Sequence, residues 1–254
     1  MISKNKFKYL RSLKIKKYRN QANQILIEGV RLIDESIKAN ARIQSIYCLD
    51  SFLNNINNKS FISILEKSNI PIDEIDIDSM GQLSDSINNQ GVIGLVDINL
   101  IRTCDYKDSS QLILDSISDP GNLGNIIRTS DWFGFKNIYL SNNSIDPYNP
   151  KVVRSAMGAH FYLNIIEIDI IEHITNLKNN NFKIIAADLD GQNIHNWTPP
   201  NKWAIILGNE AHGISDEIYK LIDYKVTIPK HGHMESLNVS MAAGILLSCI
   251  KYKG

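Results

Sequence analysis

Short apolar runs alternate with helix-like patterns along most of the chain. Runs rich in Ile, Val and Leu predict buried strands, and apolar residues repeating every three or four positions predict helices. In the first part of the chain the predicted strands are 25–27, 45–49, 70–75 and 91–97, and the predicted helices are 30–39 and 61–67. This alternation is typical of an α/β domain.

The alternation stops over residues 98–110, where scattered polar residues without a period indicate a linker. Beyond it, the predicted strands are 112–115, 137–140, 163–168, 182–187, 203–208 and 224–228, and the predicted helices begin near residues 122, 151, 170, 213 and 240. Strands followed by helices favour a mostly parallel sheet. The sequence therefore predicts two α/β domains, 1–97 and 111–254, joined by the linker 98–110.

Composition narrows the class of protein. The 254 residues are 43% hydrophobic, which is ample for packed cores. No apolar segment approaches the roughly 20 residues that cross a bilayer, and the Lys-rich N-terminus lacks the apolar stretch of a secretory signal. A cytoplasmic protein without membrane contact is expected.

Neither the cysteines nor the histidines predict a metal site. Cys48, Cys104 and Cys249 are too scattered for a disulfide framework or a Cys-x-x-Cys site. The histidines at 212, 231 and 233 have no carboxylate or cysteine at a spacing that completes a tetrahedral set. We expect reduced thiols and no bound metal.

The formal net charge of zero hides a strong asymmetry. Residues 1–20 contain eight Lys or Arg side chains and no acidic one. Such a cluster attracts phosphates and makes binding salt-dependent, although a disordered, solvated tail is the alternative. Because Phe7, Tyr9 and Tyr18 lie among the charges, we favour contact with nucleic acid.

Three polar motifs each lie between a predicted strand and a predicted helix. They are 115–130, which contains Asn122 and Arg128; 207–213, which contains Gly208, Asn209 and Glu210; and 235–244, which contains Ser236, Leu237 and Asn238. Loops of this kind hold ligands with their backbone groups. Neither Gly-x-Gly-x-x-Gly after a strand nor Gly-x-x-x-x-Gly-Lys occurs, which argues against an ordinary dinucleotide or nucleoside triphosphate site.

In order and spacing, these motifs resemble motifs one, two and three of the SpoU, or TrmH-like, RNA 2'-O-ribose methyltransferases. Residues 27–33 and 90–94 resemble the small substrate-binding domain of the same family, and 150–159 resemble a further family segment. The resemblance implies that residues 111–254 form the trefoil-knotted fold of the SPOUT superfamily. It also implies a homodimer, with S-adenosylmethionine as cofactor.

The resemblance assigns roles to individual residues. It implies that Arg128 is catalytic, with Asn122, Glu210, Ser236 and Asn238 around the target ribose, and that Gly208, Ile228 and Leu237 bind the cofactor. Chemistry qualifies the role of Arg128, because a guanidinium keeps its proton and is better suited to gripping a phosphate and stabilising charge.

Helix capping and turn formation would also account for several of these residues. Glu210 is expected to orient Arg128 or Asn122, or to sit as a carboxylate at a helix N-terminus. Ser236 and Asn238 are expected to act at the site or to cap the last helix. Gly208 suits a backbone that approaches a ligand closely, or a simple turn.

The resemblance implies an enzyme that methylates a ribose 2'-hydroxyl, and the target expected is a guanosine in ribosomal RNA. Length and the additional N-terminal domain favour ribosomal RNA, with transfer RNA as the close alternative. Two rival hypotheses are a non-catalytic RNA-binding or ribosome-assembly factor on the same fold, and an enzyme that binds a different nucleotide.

Overall fold

A computed structural model describes residues 2–86, 88–98, 104 and 108–252. The chain divides into two compact units, the first made of Met1–Ile101 with Tyr148–Phe161 and the second of Arg102–Pro147 with Tyr162–Gly254. Of the predicted linker 98–110, residues 99–103 and 105–107 lie outside the described residues.

The first unit contains a four-stranded mixed sheet flanked by helices. The strands are β1 (Gln24–Glu28), β2 (Ile43–Cys48), β3 (Ile72–Glu74) and β4 (Val92–Asp97). Strand β4 pairs antiparallel with β1 and β2, and β3 pairs parallel with β2, in the order β1-β4-β2-β3. The helices are α1 (Lys4–Ser12), α2 (Lys16–Ala22), α3 (Val30–Lys38), α4 (Asp50–Leu53), α5 (Lys59–Lys67), α6 (Ile77–Leu83) and, from later in the chain, α8 (Pro150–Ala156), with 3₁₀ turns at Ile56–Asn58 and Ala159–Phe161.

The basic N-terminal segment is folded, which excludes a disordered tail. It forms α1 and α2, and Leu10 and Leu13 are 0% and 2% exposed in a core that includes Met80 and Leu83. The guanidinium of Arg19 is buried as well and donates to the carbonyls of Leu13 (2.9 Å) and Lys14 (2.8 Å). The dense lysines obscure the apolar face in the sequence.

The segment Tyr148–Phe161 packs within the first unit, although the sequence predicts residues 111–254 as one domain. Tyr148 and Val153 are buried in the same core cluster as Ile25 and Leu32. At Gly158, an added Cβ would lie 2.8 Å from the Cβ of Glu35 on α3. Seven helical residues carry too little pattern to reveal which core they join.

The second unit contains a six-stranded, fully parallel sheet, so the predicted parallel α/β fold is confirmed. The strands are β5 (Ser110–Leu114), β6 (Asn137–Ser141), β7 (Asn164–Ile168), β8 (Lys183–Asn193), β9 (Trp203–Leu207) and β10 (Tyr224–Thr227), and the helices are α7 (Pro120–Trp132), α9 (Ile170–Asn179), α10 (Asp216–Tyr219) and α11 (Val239–Lys251). The strand order is β10-β8-β9-β5-β6-β7.

The mainly apolar sequences of β6 and β9 follow from their burial within the sheet. Every residue of β6 and β9 is buried, as expected for parallel strands covered on both faces. No helix follows β8, since residues 194–202 form none, in agreement with the absence of a predicted helix between these strands. The trefoil knot implied by the resemblance stays a prediction.

Helix α11 packs against α7 within this unit, and its Ala243 is fully buried. Among the described residues, no helix combines the length and the apolar character that a membrane crossing requires.

Candidate functional site

The three polar motifs meet at one edge of the parallel sheet. Motif one follows β5 and motif two follows β9, and these strands are parallel neighbours. The carboxyl ends of parallel strands share an edge, which is where open α/β sheets bind ligands. The loop before α11 is hydrogen-bonded to motif one through Asn238 and Asn122, and Asn122 is bonded to motif two.

Asp119 and Pro120 begin α7 and thereby position Asn122. The carboxylate of Asp119 accepts from the backbone N–H of Asn122 at 2.8 Å, and proline occupies the first turn. Asn122 is 9% exposed, and its side-chain Nδ2 donates to Oε1 of Glu210 at 2.9 Å. The N-terminus of α7 is thus tied directly to motif two.

Glu210 gathers donors from the loop ahead of α7. Its carboxylate accepts from the N–H (3.3 Å) and hydroxyl (3.0 Å) of Ser118 and from the N–H of Asp119 (3.3 Å). Partial burial alone would raise the pKa of Glu210, but the donors from Asn122, from its own backbone and from Ser118 outweigh it and hold the pKa below its usual value. A carboxylate therefore faces the helix N-terminus, as the macrodipole favours.

The charge of Glu210 fixes the direction of a chain of amides. Because a carboxylate only accepts, Asn122 must present Nδ2 to it, and Oδ1 of Asn122 is then left to accept from Nδ2 of Asn238 at 2.9 Å. Oδ1 of Asn238 in turn accepts from the N–H of Ser240 (2.9 Å) and of Met241 (3.4 Å). Asn238 is therefore both the cap of α11 and a link to motif one.

Asn209 folds motif two into a tight loop. Its Oδ1 accepts from the N–H groups of Ala211 (2.9 Å) and His212 (3.1 Å), and its Nδ2 donates to the carbonyl of Ser116 at 2.7 Å. Asn209 and Gly213 also exchange backbone hydrogen bonds.

Gly208 is required by this loop itself. An added Cβ would lie 2.2 Å from the carbonyl carbon of Gly213 and 2.4 Å from the nitrogen of Ile214. The close approach inferred from sequence therefore involves the protein's own backbone. Gly213, at φ +70°, adopts the left-handed region that favours glycine.

Arg128 stands apart from these networks. It is exposed on α7, and within the described part of the chain its guanidinium forms no hydrogen bond and no ion pair. Of the two partners that the sequence allowed for Glu210, Arg128 and Asn122, the structure contains Asn122. The guanidinium is available to a ligand.

The predicted cofactor residues Ile228 and Leu237 flank an exposed loop. Ile228 is half-buried after β10, and Leu237 is 52% exposed before α11. Within the described chain, no backbone group of residues 230–237 forms a hydrogen bond. Ser236 is exposed and does not cap α11, because Asn238 does. Free backbone groups beside an apolar side chain suit a heteroaromatic ligand.

Two residues that brace motif one are absent from the sequence-based candidates. Ser116 has a left-handed backbone, φ +58°, and its N–H donates to Oγ of Ser141 at 2.7 Å. The buried carboxylate of Asp115 accepts from the hydroxyl of Ser116 (2.9 Å) and from the N–H of Ser215 (3.0 Å). Asp119-Pro120 is recognisable as a helix start, but nothing local signals the partners of Ser116.

No three His, Cys, Asp or Glu side chains come together as a metal site would require in the portion of the chain that the structure covers. The cysteines at 48, 104 and 249 are free thiols.

Comparisons with known proteins place this architecture. The model of the SpoU rRNA methylase family matches residues 109–248, and that of the MRM3-like substrate binding domain matches residues 4–94. The chain is 28% identical to the 23S rRNA (guanosine(2553)-2'-O)-methyltransferase RlmP of Bacillus subtilis, over 95% of this chain and 94% of that protein.

Two solved structures share the fold. One is a TrmH-family protein from Porphyromonas gingivalis, with a TM-score of 0.87, 28% identity and full coverage of both chains. The other is the SpoU methyltransferase AviRb of Streptomyces viridochromogenes in complex with AdoMet, with a TM-score of 0.82 and 21% identity over 98% of each chain. Since the family model alone covers more than half of the chain, this protein belongs to the SpoU rRNA methylase family.

Proposed function

We propose that this protein transfers a methyl group from S-adenosylmethionine to the 2'-hydroxyl of a ribose in RNA. The proposed target is a guanosine of ribosomal RNA. One observation carries the proposal: the hydrogen-bonded chain Glu210–Asn122–Asn238 joins three distant motifs and leaves Arg128 uncommitted beside them on α7. Family membership and the specificity of RlmP support it.

The loops around motifs two and three suit the cofactor. Ile228 and Leu237 offer apolar surface for its adenine, and the unpaired backbone groups of 230–237 can satisfy the ring's polar edge. Gly208 keeps the neighbouring loop tight. The AdoMet bound by AviRb, which shares this fold, supports S-adenosylmethionine as the cofactor.

The side chains of this unit supply positioning and charge. When bound, the cofactor supplies an electrophilic methyl group. Arg128 grips an RNA phosphate and stabilises the negative charge that develops on the ribose oxygen as its proton passes to solvent water. Glu210, Asn122 and Asn238 hold the N-termini of α7 and α11 in fixed positions. Ser236, in the exposed loop before α11, lies beside the ribose.

We propose that residues 111–254 carry out catalysis and that 1–97 bind RNA. The basic face of α1 supports the second role, since Lys4, Lys8 and Arg11 recur at helical spacing and are exposed. Lys14 is instead committed to Asp85 at 3.0 Å. The compartment proposed is the cytoplasm.

A homodimer is the proposed assembly. Trp132 on α7, and Met241 and Tyr252 at α11, are 84%, 63% and 83% exposed, which is unusual for large apolar side chains. Sedimentation of the purified protein should give twice the chain mass, and Trp132→Glu should shift it to the monomer.

Transfer of labelled methyl groups from S-adenosylmethionine to unmodified ribosomal RNA tests the enzymatic proposal, followed by mapping of the 2'-O-methyl site. Labelling of transfer RNA alone would move the substrate to the alternative class. Cofactor binding without any transfer would support a non-catalytic factor, and absence of cofactor binding in the presence of RNA would overturn the proposal.

A further inference from the structure

A tight turn at the carboxyl end of β6 is fastened to motif one. The N–H of Ser144 donates to the carbonyl of Ser141 at 2.9 Å and closes a β-turn over Asn142 and Asn143, here named the Ser141–Ser144 turn. The hydroxyls of Ser141 and Ser144 lie 3.0 Å apart, and Ser141 is buried.

Three hydrogen bonds join this turn and the residue after it to the residues that lead into α7. Ser116 donates its N–H to Oγ of Ser141 (2.7 Å), and Ile117 donates its N–H to Oγ of Ser144 (3.2 Å). The carbonyl of Ile117 accepts from the N–H of Ile145 at 2.8 Å. The turn is therefore part of the same constellation as Asn122 and Asn209.

Strand order decides which side of the site the turn occupies. Along the sheet, β10 and β9 carry the loops assigned to the cofactor, β5 carries motif one, and β6 carries the turn. Methyl transfer aligns the donor and the attacking oxygen on opposite sides of the moving carbon. With the cofactor on the β9–β10 side of motif one, the nucleotide belongs on the β6 side.

Asn142 and Asn143 are the free amides at this place. Both are exposed, and their side chains form no hydrogen bond among the described residues. In contrast, Asn122, Asn209 and Asn238 are committed to protein partners. A carboxamide both donates and accepts, which matches the edge of an unstacked RNA base.

We propose that the Ser141–Ser144 turn forms the nucleotide side of the site and that Asn142 and Asn143 hydrogen-bond the base edge of the nucleotide that is methylated. The inference rests on the proposed methyltransferase function. Ser141 and Ser144 act as positioning residues that hold the turn against motif one, whereas the two asparagines contact the substrate.

The test uses the full chain, S-adenosylmethionine and a transcript of the cognate large-subunit ribosomal RNA. In the Asn142→Ala/Asn143→Ala variant, the KM for RNA should rise roughly tenfold or more, since two hydrogen bonds are lost. Cofactor affinity and melting temperature should stay at the wild-type values. Discrimination between the native transcript and one with the target base replaced should shrink.

A matched control is Asn179→Ala/Asn201→Ala. These asparagines are also exposed, but they precede β8 and β9 and so lie at the amino edge of the sheet. This control should behave as wild type. The pair Asn142→Asp/Asn143→Asp keeps good turn residues but places carboxylates near phosphates, so its KM should exceed that of the alanine pair.

The outcomes separate the two proposals. Suppose that the wild type is active and that the alanine and aspartate variants of Asn142 and Asn143 both keep the wild-type KM and base discrimination. That result would overturn the role of the turn and leave the enzymatic function intact. An equal loss in the control pair would also overturn it. A wild type that binds the cofactor but methylates no RNA would remove the proposed function and this inference together.

Discussion

Asn122 donates a 2.9 Å hydrogen bond to Glu210, which lies 88 residues further along the chain. This one contact sets the orientation of the Asn122 amide, and through it the orientation of Asn238 at the start of α11. Two helices that border the candidate site are thus held by one carboxylate. The arrangement makes the charge of Glu210, and not merely its size, important.

Replacing Asn122 with Asp should disrupt this arrangement. Two carboxylates would then face each other at hydrogen-bond distance, and the amide of Asn238 would face a changed partner. We expect methyl transfer to fall at least a hundredfold and stability to fall by about 1–3 kcal/mol, measured by initial rates and urea unfolding. Asn125→Asp, exposed on the same helix, is the control and should be nearly neutral.

Arg128→Ala should abolish methyl transfer. The free energy of unfolding should not change, and cofactor affinity should stay within a few fold of wild type, because the guanidinium has no partner in the described protein. Arg128→Lys should restore little, since an ammonium lacks the planar fork. Single-turnover rates and calorimetry measure both effects. Lys136→Ala, at an exposed position just before β6, should change neither, and wild-type turnover by Arg128→Ala would remove the assignment.

Gly208→Ala should destabilise the protein and weaken cofactor binding together. Its Cβ would overlap the backbone of Gly213 with or without a ligand, so the loop must open. Thermal unfolding and cofactor titration should both report the loss. Gly232→Ala meets no atom within 4 Å and serves as control. A folded Gly208→Ala variant with unchanged melting temperature would contradict the clash.

RNA binding by the exposed basic residues of α1 and α2 is best tested by substitution. Deleting residues 1–20 would remove Leu10 and Leu13 from the core. The triple change of Lys4, Lys8 and Lys17 to Gln should reduce the slope of log affinity against log salt by about 2, at roughly 0.7 per phosphate contact. Stability should not change. The pair Lys59→Gln/Lys67→Gln, exposed on α5, is the control. If the triple variant and this control gave the same salt slope, the RNA-binding surface would not be on α1 and α2.

Acid should destabilise the second unit through His173. Burial lowers the pKa of this imidazole from 6.5 to about 4. The unfolded chain therefore binds the proton first, and stability is full above pH 6.5 and falls between pH 6.5 and 4, by at most about 1.4 kcal/mol per pH unit. Urea unfolding across this window measures the slope. His173→Phe should flatten it and the exposed His231→Phe should not; an unchanged slope in His173→Phe would assign the effect to different groups.

The sequence alone was sufficient for the buried strands of the second unit and for the motif residues at their ends. Both are local properties, since a run such as 203–207 is apolar throughout and the residues that follow it must lie at its carboxyl end. Asn122, Glu210 and Asn238 were therefore placed near one another from parallel topology and from the resemblance together.

Only the tertiary structure decided which of these residues touch. The sheet brings distant residues together, and this decides three contacts. Glu210 holds Asn122 instead of Arg128, Gly208 packs against Gly213, and Ser141 accepts a hydrogen bond from Ser116. The same holds for Tyr148–Phe161, which joins the core of the first unit. Partners 88 or 116 residues apart leave no trace in local periodicity, because packing geometry, and not sequence spacing, selects them.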